Sequence, residues 1–252
     1  SVVVNAFTAD ETASLPTVLA SGVRGDSFSF DGGDYICTGT TGTCADDADL
    51  DFVAADDFAI GAWVKHSDTS ALRIIAGKGT AVNTIGYKIY IGADGKPCFG
   101  VDDDTTSFPE ASACGTSPVD DAQWHHIVGV KNDTTDLKIY VDGIEKGIDN
   151  TAIPTGTLDQ AGAFRVGIDT DGASNGFIGT IDEVFVTAKN LTLSQVKHIY
   201  ETGKRALQSH GINDFKNNLD EQGDSAGVVT DPGNTVTAVG VQVPQSSADG
   251  FG

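Results

Sequence analysis

One stretch, residues 123–143 (QWHHIVGVKNDTTDLKIYVDG), constrains the fold more than any other part of the chain. Apolar and polar residues alternate on both sides of a polar run at 132–135. Successive side chains of a strand point to opposite faces, so the pattern predicts an antiparallel hairpin with one buried face. A third run, residues 144–148, can follow the turn at Asp142 and Gly143. Such a meander must bury its apolar face against another sheet, which predicts a β-sandwich.

Shorter runs with the same alternation predict the remaining strands. They cover residues 27–31, 57–66, 72–76, 85–91, 96–101, 164–168 and 177–187. The run 57–66 is apolar on both faces, with Phe58 and Ile60 on one and Trp63 on the other, as is typical of a central strand. Trp63 and Trp124 both lie in buried strand patterns, so we expect both indoles in the core.

One short helix is predicted after the last strong strand. Thr192 and Gln195 have the spacing of a capping box, and Gly203 is expected to end the helix. The chain then divides into an N-terminal arm (1–24), a sandwich domain (25–203) and a C-terminal extension (204–252). The extension carries a predicted hairpin around the turn 231–234. Two strands alone are marginally stable, so this segment should pack on the sandwich, join a neighbouring copy or lead into a further domain.

The chain is strongly acidic, with 36 acidic against 15 basic residues and a formal net charge of -21. All but six of the acidic residues are aspartates, which favour turns over helices and agree with a loop-rich β protein. No basic footprint for phosphates is visible, which argues against nucleic acid as a partner. No apolar stretch is long enough to insert into a membrane.

The four cysteines fall into two close pairs, Cys37 with Cys44 and Cys98 with Cys114. Neither pair has the CxxC spacing or the nearby histidine of a zinc site. Two local disulfides are the simplest interpretation, and free buried thiols are the alternative. Disulfides would place the protein in an oxidising compartment, which predicts an extracellular, cell-surface or virion-surface location.

Six segments, taken in order, resemble the laminin-G-like branch of the concanavalin A-like lectin/glucanase superfamily. They are FDGGDY at 30–35, FAIGAWVK at 58–65, WHHIVGV at 124–130, LKIYVDG at 137–143, FIGTIDEV at 177–184 and the helix at 193–200. The resemblance covers residues 25–203. It implies an all-β jelly roll of two curved antiparallel sheets, followed by a short helix.

The resemblance also implies a structural calcium ion near the FDGxD turn. The predicted ligands are Asp31, Asp34 and Asp182, with the carbonyl of Gly33. Asp-Gly turns supply the oxygen ligands that calcium prefers. Alternatively, Asp31 and Asp34 are turn formers and the Asp182 carboxylate binds backbone amides.

A glycan-binding surface is the second expectation. Carbohydrate sites combine an aromatic platform with amide and carboxylate groups for the hydroxyls. Two predicted loops carry such groups. The candidate ligand-binding residues are Asp102, Asp104, Asp169, Asp171, Asn175 and Phe177. Each of them is equally compatible with a solvated turn, and it is the family resemblance that favours the glycan.

Catalysis is not expected. Glycosidases need two suitably spaced carboxyl groups, and the Glu-x-Asp-x-x-Glu strand of the superfamily's glucanases is absent. Asp182 and Glu183 are adjacent on one strand and should point to opposite faces. We therefore predict a non-catalytic recognition or adhesion module with a glycan or cell-surface partner. The alternative is a structural subunit, such as a capsid decoration, fibre or surface-layer block, that forms homo-oligomers through its terminal segments.

Overall fold

The computed structural model describes residues 8–9, 15–19, 21–40, 43–68, 70–79, 86–103, 108–158, 161–221, 230–231 and 234–235. In chain order the strands are β1 (Thr8–Ala9), β2 (Thr17–Leu19), β3 (Ser27–Asp31), β4 (Ile36–Cys37), β5 (Gly39–Thr40), β6 (Thr43–Cys44), β7 (Phe58–Lys65), β8 (Arg73–Gly79), β9 (Gly86–Ile91), β10 (Pro97–Asp102), β11 (Ala111–Cys114), β12 (Trp124–Asn132), β13 (Asp136–Val141), β14 (Ile144–Asp149), β15 (Phe164–Val166), β16 (Ile178–Thr187), β17 (Thr230–Asp231) and β18 (Asn234–Thr235). A 3₁₀ turn, Ala48–Leu50, precedes β7, and one α-helix, α1 (Leu193–Glu221), follows β16.

Two seven-stranded antiparallel sheets form the sandwich. The first sheet has the order β1-β4-β15-β8-β9-β10-β11, and the second has the order β14-β13-β12-β7-β16-β3-β2. The main core lies between them and is rich in aromatic rings. Phe58 contacts Phe52, Tyr87 and Phe99 there, with ring centroids 4.3 to 5.9 Å apart. The predicted all-β two-sheet jelly roll is therefore confirmed.

The predicted hairpin forms as β12 and β13, but both of its faces are covered. Ile127 and Ile139 point into the main core, whereas Val128 and Val130 form a second cluster on the outer face with Val196 of α1. The expectation of one buried face is wrong because the helix packs over the other. Trp63 is 2% exposed, as expected for a central strand, but Trp124 is only half-buried.

Strand β16 contains a bulge that the alternation does not predict. The register against β7 shifts between Asp182 and Phe185, and Glu183 takes a left-handed conformation with φ of 48°. A bulge inserts an extra residue and reverses the in-out order that follows it. Ile181 and Val186 consequently both face the main core, while Phe185 faces α1.

Helix α1 begins where the sequence predicts it but continues past Gly203 to Glu221. The capping box is formed, since the Thr192 amide donates to Gln195 Oε1 and the Gln195 amide donates to Thr192 Oγ1. Gly203 does not end the helix. A Cβ at this position would lie 2.7 Å from the Trp63 indole. The glycine therefore permits close packing of the helix on the second sheet.

We expect Gly203→Val to destabilise the protein by about 1–3 kcal/mol, because the added side chain would push α1 away from Trp63. Urea unfolding followed by tryptophan fluorescence would measure this. Arg205→Val is the control for an added valine on the same helix, because Arg205 is exposed; helix propensity alone would favour Gly203→Val over Arg205→Val, so a larger loss at Gly203 reports the packing. Equal midpoints for the two variants would contradict the packing role of Gly203.

Three lysines are buried as internal counter-ions or donors. Lys78 pairs with Asp46 at 2.5 Å and with Asp51. Lys131 donates to the backbone carbonyls of Ala54, Asp56 and Asp133. Lys88 pairs with Asp169. Each ammonium is 0–1% exposed, so these cations serve the interior rather than the surface.

Both predicted disulfides are formed. Cys37 is bonded to Cys44, and Cys98 to Cys114. Cys98 and Cys114 are directly opposite each other on β10 and β11. Strand β11 lies in a stretch for which no strand is predicted from the sequence.

The ends of the chain are described only in part. In the N-terminal arm, β1 pairs with β4 and β2 pairs with β3. In the C-terminal extension, β17 pairs with β18 across the predicted turn, and most of the flanking residues lie outside the described part. Residues 1–207 form one compact unit and residues 208–252 another. The domain boundaries at 24 and 203 stay predictions.

No helix within the described residues has the length and apolar character that crossing a membrane requires.

Candidate functional site

The outer face of the first sheet brings together several of the predicted ligand-binding residues. Asp169 and Asn175 come from the loop between β15 and β16, and both line a recess of about 70 Å³ on β8 and β9. Asp102 lies on β10 opposite Gly86, which places it on the same face as Lys88. The recess is lined by Leu72, Ile74, Lys88, Tyr90, Phe108, Pro109, Asp169 and Asn175.

A buried ion pair forms the floor of this site. Lys88 Nζ lies 2.6 Å from Asp169 Oδ1, and both side chains are at most 3% exposed. The second Asp169 oxygen accepts from Asn175 Nδ2 at 2.9 Å, and the Thr170 amide donates to Oδ1 at 2.7 Å. Because the charges are paired and hydrogen-bonded, the carboxylate is held in one orientation beside the half-buried Asn175 amide.

Apolar groups frame the ion pair. The Phe108 ring lies 4.3 Å from Lys88 Nζ, measured to its centroid, and the ring is half-buried. Tyr90 packs against Phe108 with centroids 6.3 Å apart, and burial raises the pKa of the Tyr90 phenol although Ser112 opposes the shift. Ile74, Tyr90 and Cys98 form a small cluster under this edge. The site thus combines an accessible aromatic ring with fixed amide and carboxylate groups.

The loop that carries Asp169 is fixed by its own hydrogen bonds. Its backbone closes on itself, since the Gly172 amide donates to the Asp169 carbonyl at 2.8 Å. Asp171 Oδ1 accepts from the amides of Ala173 and Ser174. Burial would raise the pKa of Asp171, but these hydrogen bonds outweigh it and lower the pKa. Asp171 therefore acts as an ionised turn former at the rim of the site.

One of the predicted ligand-binding residues, Phe177, does not join this surface. Phe177 is fully buried in the main core, so the expectation that its ring contacts a ligand is wrong. The alternation of β16 starts one residue later than the apolar run suggests, which leaves Phe177 at the inward-facing end of the loop. Asp104 lies outside the described residues.

Sequence reasoning missed Lys88, Tyr90 and Phe108. The alternation of Lys88 and Tyr90 with Tyr87, Ile89 and Ile91 was the available signal, since a lysine inside a strand that is apolar on both faces needs a buried partner. Nothing local indicates that this partner is Asp169.

The predicted calcium ligands do not converge. Asp31 and Asp34 share the turn after β3, where the Gly33 amide donates to Asp31 Oδ1 and the Asp31 amide donates to Asp34 Oδ2. Asp34 is 4% exposed, and its Oδ1 has no hydrogen-bond partner among the described residues. Ile178 pairs with Asp31, so Asp182 stands four residues further along β16, about 13 Å away.

Asp182 instead binds backbone amides, as the alternative interpretation expects. Its Oδ2 accepts from Val23 at 2.6 Å and from Arg24 at 3.2 Å, and its Oδ1 accepts from Glu183 at 2.8 Å. Within the described residues no group of three or more His, Cys, Asp or Glu side chains could hold a metal ion. The four-residue calcium set with Asp182 as a ligand does not fit the structure.

Comparison with solved structures finds the same fold in several binding domains. The binding domain of Paraclostridial Mosquitocidal Protein 1 matches with a TM-score of 0.57 and 14% identity, over 75% of this chain and 46% of that one. Domain 4 of AbnA, an extracellular arabinanase from Geobacillus stearothermophilus, matches with a TM-score of 0.55 and 18% identity, over 77% of this chain and 87% of that domain. The ligand-binding domain of botulinum neurotoxin serotype D matches with a TM-score of 0.53 and 15% identity, over 78% and 45%.

The chain thus spans about half the length of the two toxin domains. No curated protein matches it significantly. Comparison with known families matches residues 30–197, two thirds of the chain, to the concanavalin A-like lectin/glucanases superfamily. This range contains strands β4 to β16, the two disulfides and the start of α1. The protein belongs to the concanavalin A-like lectin/glucanases superfamily.

Proposed function

We propose that this protein is a non-catalytic recognition module that binds a glycan on the outer face of the first sheet. The observation that carries the proposal is the half-buried Phe108 ring beside the fixed Asp169 and Asn175 side chains. A sugar ring packs its C–H face on an aromatic ring, and its hydroxyls bond to amide and carboxylate groups. Asp171, half-buried on the same loop as Asp169, stays a candidate ligand contact, whereas Asp102 on β10 is 0% exposed and cannot touch a ligand in this structure.

The comparisons support a binding role at the level of the fold. Domain 4 of AbnA was solved in complex with arabinotriose, and the neurotoxin serotype D domain in complex with N-acetylneuraminic acid. A glycan outside the cell is also compatible with the two disulfides, which form in oxidising compartments. A secreted or surface location follows as part of the proposal.

Titration calorimetry with arabinotriose and N-acetylneuraminic acid would test the site. We expect Phe108→Ala to weaken binding of the preferred sugar by about tenfold or more, because the stacking surface is lost. Phe28→Ala is the matched control, since Phe28 is a 39% exposed ring on the second sheet and should keep the wild-type affinity. Absence of binding to either sugar by the wild type, or equal losses in both variants, would contradict the proposed site.

We keep calcium as a proposal for the turn of Asp31 and Asp34 alone. The unpartnered and buried Asp34 Oδ1 supports it. Repeating the titrations with EDTA separates a calcium-dependent glycan site from a calcium-independent one.

The alternative function, a structural subunit assembling through its terminal segments, stays a prediction, because those segments lie largely outside the described residues.

A further inference from the structure

A second cleft, of about 360 Å³, lies on the opposite side of the sandwich, between α1 and the outer face of the second sheet. This volume falls in the range of small-molecule sites. The residues that line it are Arg24, Trp63, His126, Glu183, Val184, Phe185, His198, Ile199, Thr202 and Gly203. None of the predicted ligand-binding residues is among them, so the cleft is independent of the proposed glycan site.

His126 is a buried polar group in the lining of this cleft. Its side chain is 1% exposed, and neither ring nitrogen has a hydrogen-bond partner among the described residues. A neutral imidazole has one N–H donor and one acceptor nitrogen. Leaving such groups buried and unsatisfied is unfavourable, so a bound molecule that offers a hydroxyl would stabilise the site.

Two residues of opposite charge, Arg24 and Glu183, lie on the rim of the cleft, and Asp182 holds the backbone of both. Asp182 accepts hydrogen bonds from the backbone amides of Arg24 and Glu183, which places both residues on the same rim. Glu183 adopts its left-handed conformation there, at the bulge of β16. Bulges recur beside functional sites because they redirect a side chain, and here the bulge puts Glu183 on the rim of the cleft.

The walls between rim and floor are apolar. Phe185 on β16 and Ile199 on α1 are half-buried and both line the cleft. Trp63 closes the inner end, with its indole stacked on Tyr200 at a centroid distance of 5.6 Å. A ligand with a flat apolar body can therefore lie between β16 and α1.

We propose that this cleft binds a free amino acid with a hydroxyphenyl side chain, for which L-tyrosine is the probe. The Arg24 guanidinium pairs with the ligand carboxylate, and the Glu183 carboxylate pairs with the ligand ammonium. The aromatic ring packs between Phe185 and Ile199. The phenolic hydroxyl, which both donates and accepts, bonds to His126 on the floor.

Titration calorimetry with four ligands tests each contact separately. Phenylalanine lacks the hydroxyl, tyramine lacks the carboxylate and 3-(4-hydroxyphenyl)propionic acid lacks the ammonium. We expect each to bind about tenfold more weakly than L-tyrosine, because each leaves one buried or charged partner unpaired. A site that bonds a ligand hydroxyl should discriminate most strongly against phenylalanine.

Two variants assign the charged contacts. Arg24→Gln should remove the preference for L-tyrosine over tyramine but keep the preference over the propionic acid, and Glu183→Gln should do the reverse. Glu201→Gln is the control, because Glu201 lies on α1 outside the cleft lining and should leave all four affinities unchanged. No L-tyrosine binding by the wild type, or no change of preference in either variant, would overturn the proposal.

Discussion

Asp169→Ala should lower the free energy of unfolding by about 3–5 kcal/mol, because it leaves the Lys88 ammonium buried without its counter-ion. Lys88 and Asp169 are 2.6 Å apart and at most 3% exposed, so little water reaches the ammonium in the folded protein. The same change frees the Asn175 amide, which donates to Asp169. Chemical denaturation at neutral pH would measure the loss, and the midpoint should fall with no change in slope.

A double variant separates the missing charge from the altered packing. Lys88→Met with Asp169→Asn removes both charges and nearly keeps the side-chain volumes, and we expect it to recover most of the stability. The same pair would test the glycan site, because the protein would be folded but lack the fixed carboxylate. A single variant as stable as the wild type would show that the Lys88 ammonium reaches water after all, and would contradict the buried pair.

Acid should destabilise the protein through His126 well before the carboxylates titrate. Burial lowers the pKa of His126 from 6.5 to about 4, against a smaller opposing effect of Asp142. The unfolded chain therefore takes up a proton first as the pH falls. The stabilisation is complete above pH 6.5 and is lost between 6.5 and 4. The full loss is about 3 kcal/mol, and about 2 kcal/mol of it should appear between pH 7 and 5.

His126→Phe should remove this dependence, because phenylalanine does not titrate and can occupy a similar volume. For each protein, the unfolding free energy is measured at pH 7 and at pH 5, and the fall between the two pH values is compared between wild type and variant. His198→Gln, at an exposed position on α1, is the control and should keep the acid sensitivity. Parallel pH profiles for the wild type and His126→Phe would contradict the assignment.

Two other histidines, His66 and His125, also change the pH dependence of stability, in opposite directions. Burial also lowers the pKa of His66, so that residue adds to the acid loss in both proteins and cancels in the comparison. His125 behaves oppositely. Its ring nitrogens lie 2.8 Å from Asp142 Oδ2 and 3.1 Å from Asp121 Oδ1, and the hydrogen bond that the ring donates to Asp142 raises the pKa of His125. The stabilisation by His125 is present below pH 6.5 and is lost as the pH rises through its raised pKa.

The sequence predicts the parts of this fold that depend on local alternation. The hairpin of β12 and β13 alternates apolar with polar residues, and the central strand β7 is apolar on both faces, so each can be recognised from its own segment. The disulfides could be paired because the cysteines lie only 7 and 16 residues apart. Helix α1 could be placed at its start because the capping box is a local signal.

The failures arise where a distant contact decides the structure. Gly203 looks like a helix terminator, yet its role is set by Trp63, which lies 140 residues earlier in the chain. The bulge at Glu183 depends on the Asp182 carboxylate binding amides near Val23. The candidate site was predicted from its loop, at Asp169 and Asn175, but its floor comes from Lys88 on another strand. The pairing of side chains from strands and loops that are distant in the sequence cannot be predicted from one segment alone.

The three buried lysines change the charge that the protein surface exposes to the solvent. Lys78, Lys88 and Lys131 account for three of its 15 basic residues, and none presents its charge outward. Burial leaves the net charge at -21, but the solvent-exposed surface has fewer basic side chains than the composition implies. Copies of the molecule should repel one another in dilute buffer and approach more readily as salt screens them. Anionic polymers and anionic lipid surfaces should attract it least.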